Sequence, residues 1–515
     1  MKIIKTDCLV IGSGLAGSVY AYSIAKKGID CVMICAQKNL TDTNSNLAQG
    51  GVIYEPEPNL ELLIKDIDSA GAGLGNIKAM EQIAAYGCKF IKEIFLGELN
   101  TPFDKDKTGN IAFTMEGAHS KARVIYAKDN TGEVMLDSIH SALKKFKNLK
   151  IRTGLMAANL LTLSHNSANP RDRYKHTTCF GAYVLDTKTG EVMAIVAKKT
   201  ILATGGLGQI YQHTTNHPGA FGHGVSLAYR IGARVMNMEY IQFHPTAFYK
   251  KRHKSFLISE ALRGEGGVLV NADGKTFIDH PKKSLAPRDV VSRAISEELL
   301  KTGESNVYMD LSALRPDYIK KRFPHIYQKC LDAEVDITKE PIPVVPAVHY
   351  SCGGVFAGVD GRTNISNLNV IGESACTGLH GANRLASTSL LECIAMGGLC
   401  AQKDACEIEN NNFYLPEPQK WISPKQTPDI NLIAQDLKLI QDTMWNYVGI
   451  IRNPNRLSRA NKILRGLKKD IEDFYREYRL TPELLNLRSA ITCARLVVYA
   501  AHRNTKSCGC HYVSK

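Results

Sequence analysis

Apolar residues near the start of the chain form two short strand-like runs with a helical pattern between them. Residues 5–11 and 31–35 contain the runs, and residues 14–27 carry apolar side chains at helical spacing. A strand, a helix and a second strand in this order make a β-α-β unit. This pattern predicts the beginning of a doubly wound sheet.

Shorter strand patterns follow between about residues 150 and 205. Residues 182–191 begin with an apolar run and continue into a polar segment with a Thr-Gly turn, which predicts a hairpin. The polar segment 164–176 inside this region is predicted to be a surface loop. This region therefore differs from the β-α-β pattern at the N-terminus.

The middle of the chain interrupts the first domain. Residues 236–348 lack strands followed by glycine-rich turns and carry several helical patterns, so we predict an inserted second domain there. A buried strand and a glycine-rich turn return at 368–372. The first domain is therefore predicted to be discontinuous, comprising residues 1–235 and 349–406.

The last part of the chain is predicted to be helical. Residues 407–429 are rich in Asn, Pro and Gln, as linkers are. Amphipathic patterns then cover 431–449, 455–478 and 482–503, and Thr481 followed by Pro482 is a typical helix start. We predict a three-helix bundle within a C-terminal domain of residues 430–515.

Composition is that of a globular protein. The 515 residues are 44% apolar and 22% charged, enough for about two to four domains. No apolar run approaches the roughly 18 residues of a membrane span, and a strand pattern from about residue 6 replaces any signal-peptide pattern. We therefore expect a cytoplasmic protein without a membrane partner.

The net charge of +14 changes this picture little. A basic run at 250–254 is not accompanied by a nucleic-acid recognition motif or by interleaved aromatic residues, so we predict no nucleic-acid partner. The charge is expected to solvate the surface and to steer anionic substrates.

The fourteen cysteines are scattered and are expected to be reduced thiols. Cys508, Cys510 and His511 form the one metal-like cluster. Their spacing does not match a tetrahedral site, so no metal is predicted.

A dinucleotide fingerprint follows the first strand and opens the first helix. It reads Gly12-Ser13-Gly14-Leu15-Ala16-Gly17, the context that gives G-x-G-x-x-G its meaning. The acidic residue expected after the second strand is missing. Gln37 or Lys38 is predicted to replace it, the alternative being a glycine-rich turn without a nucleotide.

Two later segments favour FAD over a nicotinamide cofactor. A strand runs into the turn Ala203-Thr204-Gly205-Gly206, which is typical of FAD-binding proteins. A second strand ends at Glu373, where such proteins place a carboxylate on the ribityl chain. The fold class is thus predicted to be α/β, with a Rossmann-like doubly wound FAD-binding domain, an inserted α+β capping domain and the C-terminal three-helix bundle.

Four further stretches, 242–246, 285–289, 349–354 and 383–386, each carry polar residues that could hold carboxylates, and 349–354 ends in two glycines. Together with the fingerprint they resemble the flavoprotein family of succinate dehydrogenases, fumarate reductases and L-aspartate oxidases, over nearly the whole chain. The family's C-terminal S-R-G-x-H segment is altered, because its arginine position here holds Cys508.

The resemblance implies a non-covalently bound FAD. Membrane-complex relatives attach FAD through a histidine where this chain has Asn44, which cannot form that bond. The further flavin-binding residues that it implies are Ala48, Gln49, Gly50, Gly51, Ser389 and Leu390.

Residues 115–123 resemble the E-G-G-H-S-x-x-R segment of L-aspartate oxidases. In a dry pocket, Glu116 would pair well with a substrate ammonium group. The alternative is a solvated loop glutamate without a role in binding.

The resemblance also implies the substrate site. His244, His349 and Arg384 would bind the two carboxylates, and Arg288 would transfer a proton. The remaining residues expected at the substrate are Gln242, Ser259 and Glu260.

The expected activity is the oxidation of L-aspartate to iminoaspartate, with electrons passing to oxygen or fumarate. A functional link to quinolinate synthase and NAD biosynthesis follows from the same resemblance. The alternatives are a soluble fumarate reductase and a flavin-binding subunit that serves interaction.

Overall fold

The computed structural model describes residues 1–56, 60–251, 253 and 255–514. Two members of the basic run, Arg252 and Lys254, lie outside the described residues. The strands are, in chain order, β1 (Ile3–Ile11), β2 (Cys31–Cys35), β3 (Val52–Ile53), β4 (Phe113–Thr114), β5 (Val124–Ile125), β6 (Leu149–Thr153), β7 (Leu155–Thr162), β8 (Cys179–Asp186), β9 (Val192–Leu202), β10 (Val235–Met236), β11 (Ile241–Phe248), β12 (Val268–Val270), β13 (Val307–Asp310), β14 (Ile342–Ser351), β15 (Gly354–Phe356), β16 (Leu368–Val370), β17 (Ala375–Cys376), β18 (Ile451–Arg452) and β19 (Tyr512–Val513).

The helices alternate with these strands. They are α1 (Leu15–Lys26), α2 (Glu61–Ala70), α3 (Ile77–Phe90), α4 (Thr131–Leu143), α5 (Leu163–Asn166), α6 (His223–Arg230), α7 (Glu260–Gly264), α8 (Arg288–Thr302), α9 (Pro316–Arg322), α10 (Pro324–Asp332), α11 (Thr388–Asn410), α12 (Ile430–Val448), α13 (Pro454–Glu477) and α14 (Pro482–Arg503).

The central sheet has the strand order β6-β2-β1-β9-β8-β7, and β16 also pairs with β9. β1 is parallel to both β2 and β9, which confirms the predicted β-α-β unit. The predicted hairpin is present as the antiparallel pair β8 and β9. Because β1, β9 and β16 are parallel, their carboxyl ends meet at one edge of the sheet, where ligands of such folds bind.

The inserted region has its own sheet and its own core. The sheet order is β11-β14-β13-β12, and all three pairings are antiparallel. Helices α7 to α10 cover it, burying residues such as Phe248, Val291 and Met309. The chain enters through β11 and leaves through the neighbouring strand β14.

Two segments differ from their sequence-based prediction. Helix α11 continues to Asn410, so the first four residues of the predicted linker are helical. The predicted surface loop 164–176 contains the end of α5 and a 3₁₀ turn at Pro170–Tyr174. Asp172 stabilises this turn, because its buried carboxylate accepts a 2.6 Å hydrogen bond from the Ser167 hydroxyl.

Helices α12, α13 and α14 pack against one another as the predicted bundle. The hydroxyl of Thr481 accepts a hydrogen bond from the Leu484 amide at 3.2 Å, which confirms the predicted cap. Within the described residues, only α14 has the length and apolar character to cross a membrane. Because 72% of its most apolar stretch is buried, α14 serves here as the core helix of the bundle.

The altered C-terminal segment folds back onto the protein. β19 pairs with β18, and the buried imidazole of His511 accepts a 2.7 Å hydrogen bond from Arg452. Arg293 donates to the Gly509 carbonyl at 3.4 Å. Arginines from two other parts of the chain therefore contact the segment that lacks the family's arginine.

Candidate active site

The glycine fingerprint forms a tight turn between β1 and α1. Gly12 has φ +118°, and a Cβ atom there would lie 2.2 Å from the Ala203 carbonyl oxygen. A Cβ atom on Gly17 would lie 2.2 Å from the Gly12 oxygen. The first glycine thus lets two strand ends approach, and the third lets α1 pack against the turn.

A long cleft opens above this turn. Its lining includes the fingerprint residues Gly12, Ser13, Gly14 and Ala16, the segments 35–38 and 42–45, Ala203, Thr204, Gly205 and Glu373. Gly17 lies behind the turn and does not line the cleft. Backbone groups at the start of α1 and glycines without side chains fit the pyrophosphate of FAD.

The end of β2 supplies polar side chains in place of the missing acid. Gln37 and Lys38 both line the cleft, as predicted from their position. Asp42 also lines it, and the sequence reasoning missed this residue. Asp42 lies beyond the end of β2, outside the position at which the usual fingerprint has its carboxylate.

Residues 44–51, which contain most of the flavin-binding residues implied by the resemblance and are called the flavin loop, lie between this cleft and a second cavity. Asn44 accepts the His217 amide hydrogen bond at 2.7 Å, and its own amide is 3.5 Å from Glu373. Burial raises the pKa of Glu373 to about 7, although the Ser351 amide donates to its carboxylate. Asn44 and Glu373 line both spaces, so the two cavities adjoin at these residues.

The second cavity brings together most of the predicted substrate and flavin residues. It is lined by Asn44, Ala48, Gln49, Gly50, Gly51, Glu116, His244, Ser259, Glu260, Arg288, His349, Glu373, Arg384, Ser389 and Leu390. Gln242 is not among the lining residues. It is fully buried, donates to the Arg384 carbonyl at 2.8 Å and accepts from Arg288 at 3.1 Å, so it positions two arginines.

Two histidines lie at this cavity with their ring centres 5.2 Å apart. Burial and the nearby Arg288 hold the pKa of His244 well below its usual value, and burial and Arg384 do the same for the pKa of His349. Both rings are therefore neutral near pH 7. Nδ1 of His244 lies 3.2 Å from both the amide nitrogen and the carbonyl oxygen of Thr246, so the contacts at Nδ1 are compatible with either ring tautomer.

The Nε2 atom of His244 is buried and has no hydrogen-bond partner in the described part of the chain. A buried polar nitrogen without a partner is costly, so Nε2 fits a hydrogen-bond partner supplied by a ligand. His349 is held through Nδ1, which is 2.9 Å from the Thr215 hydroxyl. Thr215 is a second residue that sequence reasoning missed.

Two arginines complete the polar wall. Arg288 donates to Glu260 at 2.6 Å, and Arg384 donates to Ser389 at 3.3 Å while lying 4.7 Å from the Tyr350 ring centre. The buried Nε of Arg384 has no partner among the described residues. Burial and the neighbouring Arg288 lower the pKa of Arg384 to about 10, so it is charged near neutral pH.

Glu260 and Ser259 come from the start of α7 in the inserted region. Burial alone would raise the pKa of Glu260, but Arg288 and Arg263 outweigh it and lower the pKa to about 2. The Ser259 hydroxyl accepts the Ala261 amide and caps the helix. Glu260 is therefore ionised and fixes one side of the Arg288 guanidinium.

Glu116 also lines the cavity, and the next residue, Gly117, packs against the Glu260 carboxylate. The Ser387 hydroxyl donates to its carboxylate at 2.6 Å. Burial raises the pKa of Glu116, and the Ser387 hydrogen bond opposes that rise. The solvated-loop alternative does not describe a carboxylate that lines a cavity with two arginines.

No group of three or more potential metal ligands occurs among the residues that the structure describes. In the metal-like cluster, the Cys510 thiol donates to Asn383 at 3.2 Å, and His511 contacts Arg452 and the Asn504 carbonyl through its two ring nitrogens. These side chains are already engaged in protein contacts.

Family comparisons match this architecture. The FAD binding domain family matches residues 7–390, and the fumarate reductase flavoprotein C-terminal family matches residues 437–514. Among solved structures, E. coli quinol fumarate reductase has a TM-score of 0.88 at 22% identity, covering 100% of this chain and 92% of its own. Mycobacterium smegmatis Sdh1 has a TM-score of 0.82 at 26% identity, covering 100% and 89%. The predicted fold class is confirmed.

Curated relatives are more similar in sequence. L-aspartate oxidase 1 of Ralstonia nicotianae is 40% identical over 98% of this chain and 94% of its own length. L-aspartate oxidase of Acinetobacter baylyi is 37% identical over 98% and 92%. The chain belongs to the L-aspartate oxidase family of FAD-binding flavoproteins.

Proposed function

We propose that this protein oxidises L-aspartate to iminoaspartate with FAD bound in the long cleft. The observation that carries the proposal is the distribution of charge around the second cavity. Arg288 and Arg384 line it together with two neutral histidines, and Glu116 adds a carboxylate to the same lining. Two anionic groups and one cationic group on a short substrate match this arrangement.

Arg384, His349 and His244 bind the substrate carboxylates in this proposal. The planar guanidinium of Arg384 is suited to two parallel hydrogen bonds, and its Nε is a free donor among the described residues. Nε2 of His244, which has no partner among the described residues, supplies another donor in the tautomer that carries its proton there. Binding therefore satisfies polar atoms that the described protein groups leave unpaired.

Arg288 is the residue that we assign to proton transfer. Glu260 and Gln242 fix its guanidinium through Nε and Nη1. Arg263 lies 3.7 Å from the same Glu260 carboxylate, so a row of three charged side chains runs from the cavity into the inserted domain. Fixed donors at a reacting group lower the barrier without having to reorganise.

The bound FAD supplies two-electron acceptance, which no side chain in this cavity offers. The protein's contribution is to orient the substrate, hold the proton-transfer group and shield the cavity from water. We further propose oxygen or fumarate as the electron acceptor, a functional link to quinolinate synthase and a cytoplasmic location.

An anaerobic titration of the FAD-loaded protein tests this function. L-Aspartate is expected to bleach the flavin band, and succinate at equal concentration is expected to leave it unchanged. Bleaching by succinate but not by aspartate would contradict the proposal.

The second candidate is fumarate reduction as the main activity. The same arginines and histidines fit fumarate, and the fold matches quinol fumarate reductase. This candidate assigns no role to Glu116. It would be preferred if aspartate left the flavin oxidised while fumarate reoxidised the dithionite-reduced flavin.

A further inference from the structure

Ser387 makes the one side-chain hydrogen bond that the Glu116 carboxylate receives among the described residues, at 2.6 Å. The two residues are 271 positions apart in the chain. The Ser387 hydroxyl also lies 3.4 Å from the Gly51 amide, and its carbonyl accepts the Ile53 amide at 3.4 Å. Ser387 therefore joins Glu116 to the flavin loop.

The backbone of Ser387 is in an unfavourable conformation for a serine. Its φ of +59° lies in the left-handed region, directly before α11. This conformation costs roughly 1–2 kcal/mol for a residue with a Cβ atom, and glycine would avoid most of that cost. Strain of this kind at a ligand cavity is a reason to look for a function of the side chain.

Gly50 holds the other side of the carboxylate. A Cβ atom on Gly50 would lie 2.6 Å from Oε1 of Glu116, whereas Ser387 contacts Oε2. One oxygen of Glu116 thus packs against the flavin loop and the other is fixed by a hydroxyl. The carboxylate can meet a substrate ammonium group without first losing rotamer freedom.

We propose that Ser387 is a positioning residue that sets the preference of this site for a diacid bearing an amino group. It acts by holding the Glu116 carboxylate at the cavity. The inference rests on the proposed aspartate oxidation. In this proposal Ser387 does not contact the groups that bind the substrate carboxylates. The binding of a diacid without an amino group therefore does not depend on Ser387.

The test compares two reactions of the FAD-loaded protein. Ser387→Ala is expected to lower kcat/KM for aspartate oxidation about tenfold, because a hydrogen bond to a charged group is lost. Fumarate reduction with a reduced dye is expected to change by less than about twofold, since the arginines and histidines are untouched. An equal loss in both reactions would overturn the proposal.

Ser387→Gly is the matched control for strain. Glycine also removes the hydroxyl but accepts the left-handed backbone, so it should be at least as stable as the wild type. Both variants are expected to show the same change in the ratio of the two reactions. If Ser387→Gly kept the wild-type ratio, the backbone and not the hydroxyl would be responsible, and the proposal would be wrong.

A double-mutant cycle with Glu116→Gln identifies the route. Ser387→Ala is expected to have no further effect on aspartate oxidation in the Glu116→Gln background, because the hydroxyl acts through that carboxylate. Fully additive effects would contradict the proposal. Failure of the wild-type protein to oxidise aspartate would instead refute the proposed function.

Discussion

The cofactor cleft and the substrate cavity are neighbours, yet they differ in the residues that line them. Small residues such as Gly12, Gly14, Ala203 and Gly205 bring the backbone close to the cleft. The cavity concentrates ionisable side chains, and two of them, His244 and Arg384, have buried atoms that are unpaired among the described residues. FAD is large and spreads its binding energy over many contacts, whereas a four-carbon substrate makes only a few.

This difference predicts where single substitutions act. In the cavity each polar side chain carries a large share of binding or catalysis, and removing one leaves its buried neighbours unpaired. In the cleft most side chains are expected to be replaceable. The exceptions are glycines where the backbone approaches another chain segment closely.

The largest effect is expected at Arg288. Arg288→Leu should lower kcat for aspartate oxidation about a thousandfold, the usual range for losing a proton-transfer group. FAD occupancy should stay at the wild-type level, because Arg288 does not line the cleft. Steady-state rates and the absorbance of bound flavin measure the two quantities.

Arg293→Leu is the matched control on the same helix. Arg293 pairs with Asp289 and contacts the C-terminal segment, away from the cavity. It is expected to keep turnover near the wild-type value. A similar loss in both variants would mean that α8 had been disturbed and would remove the special role of Arg288.

Gly12 should be the most sensitive position of the cleft. Gly12→Ala places a Cβ atom 2.2 Å from the Ala203 oxygen at a φ of +118°. We expect steric overlap and backbone strain to lower the unfolding free energy, or to weaken the free energy of FAD binding, by about 3 kcal/mol. Thermal unfolding with and without FAD measures both.

Gly28→Ala tests the cost of backbone strain without the steric overlap of a new Cβ atom. Gly28 lies between α1 and β2 with φ +80°, but a Cβ atom placed on it would have no neighbouring atom within 4 Å. The variant should lose only about 1 kcal/mol in unfolding free energy, with FAD binding unchanged. Equal effects at both glycines would contradict the idea that close approach makes the cleft sensitive.

The sequence predicted the cleft better than it predicted the cavity, for a physical reason. The fingerprint is local, because the turn, the helix start and the close approach all depend on a short run of neighbouring residues. Arg288 and Arg384 were found only through a family resemblance. Arg288 pairs with Glu260 inside the inserted region, and its place beside Arg384 in one cavity depends on how that region meets the first domain.

Residues whose role depends on distant partners were misplaced or missed. Gln242 was expected to touch the substrate, but its amide reaches Asn383 and Arg384, 141 and 142 positions away. Ser387 carries no signal in its own segment, since its partner Glu116 lies far along the chain. The helical conformation of residues 407–410 was missed because α11 continues to Asn410, beyond the position at which the composition becomes polar.

The pH dependence of the unfolding free energy tests whether Glu373 is desolvated at the junction of the two cavities in the FAD-free protein. Burial raises its folded pKa from 4.5 to about 7, so the folded state binds a proton that the unfolded state releases. The stability from this proton is present below pH 4.5 and is lost as the pH rises through 7. The loss should reach about 3 kcal/mol.

Glu373→Gln removes this titration without removing the side chain. The difference in unfolding free energy between wild type and variant, followed by denaturant from about pH 4.5 to 8, should move against the wild type as the pH rises. Other titrating groups are common to both proteins and cancel. A difference that is flat with pH would show that Glu373 is not desolvated at this junction.

The smallest effect is expected at the end of β2, where the cleft lacks the usual acid. Gln37→Ala should raise the Kd for FAD about threefold to tenfold, the value of one neutral hydrogen bond. Gln37→Glu should bind FAD at least as tightly as the wild type, because a carboxylate accepts hydrogen bonds from both ribose hydroxyls. Lys38→Ala is the comparison for the other candidate at this edge, and fluorescence titration of the FAD-free protein measures all three.

Weakening by Lys38→Ala alone would assign the ribose to Lys38. A loss of about a hundredfold at Gln37 would mean that the cleft depends on single side chains as strongly as the cavity does, and the contrast between the two regions would fail.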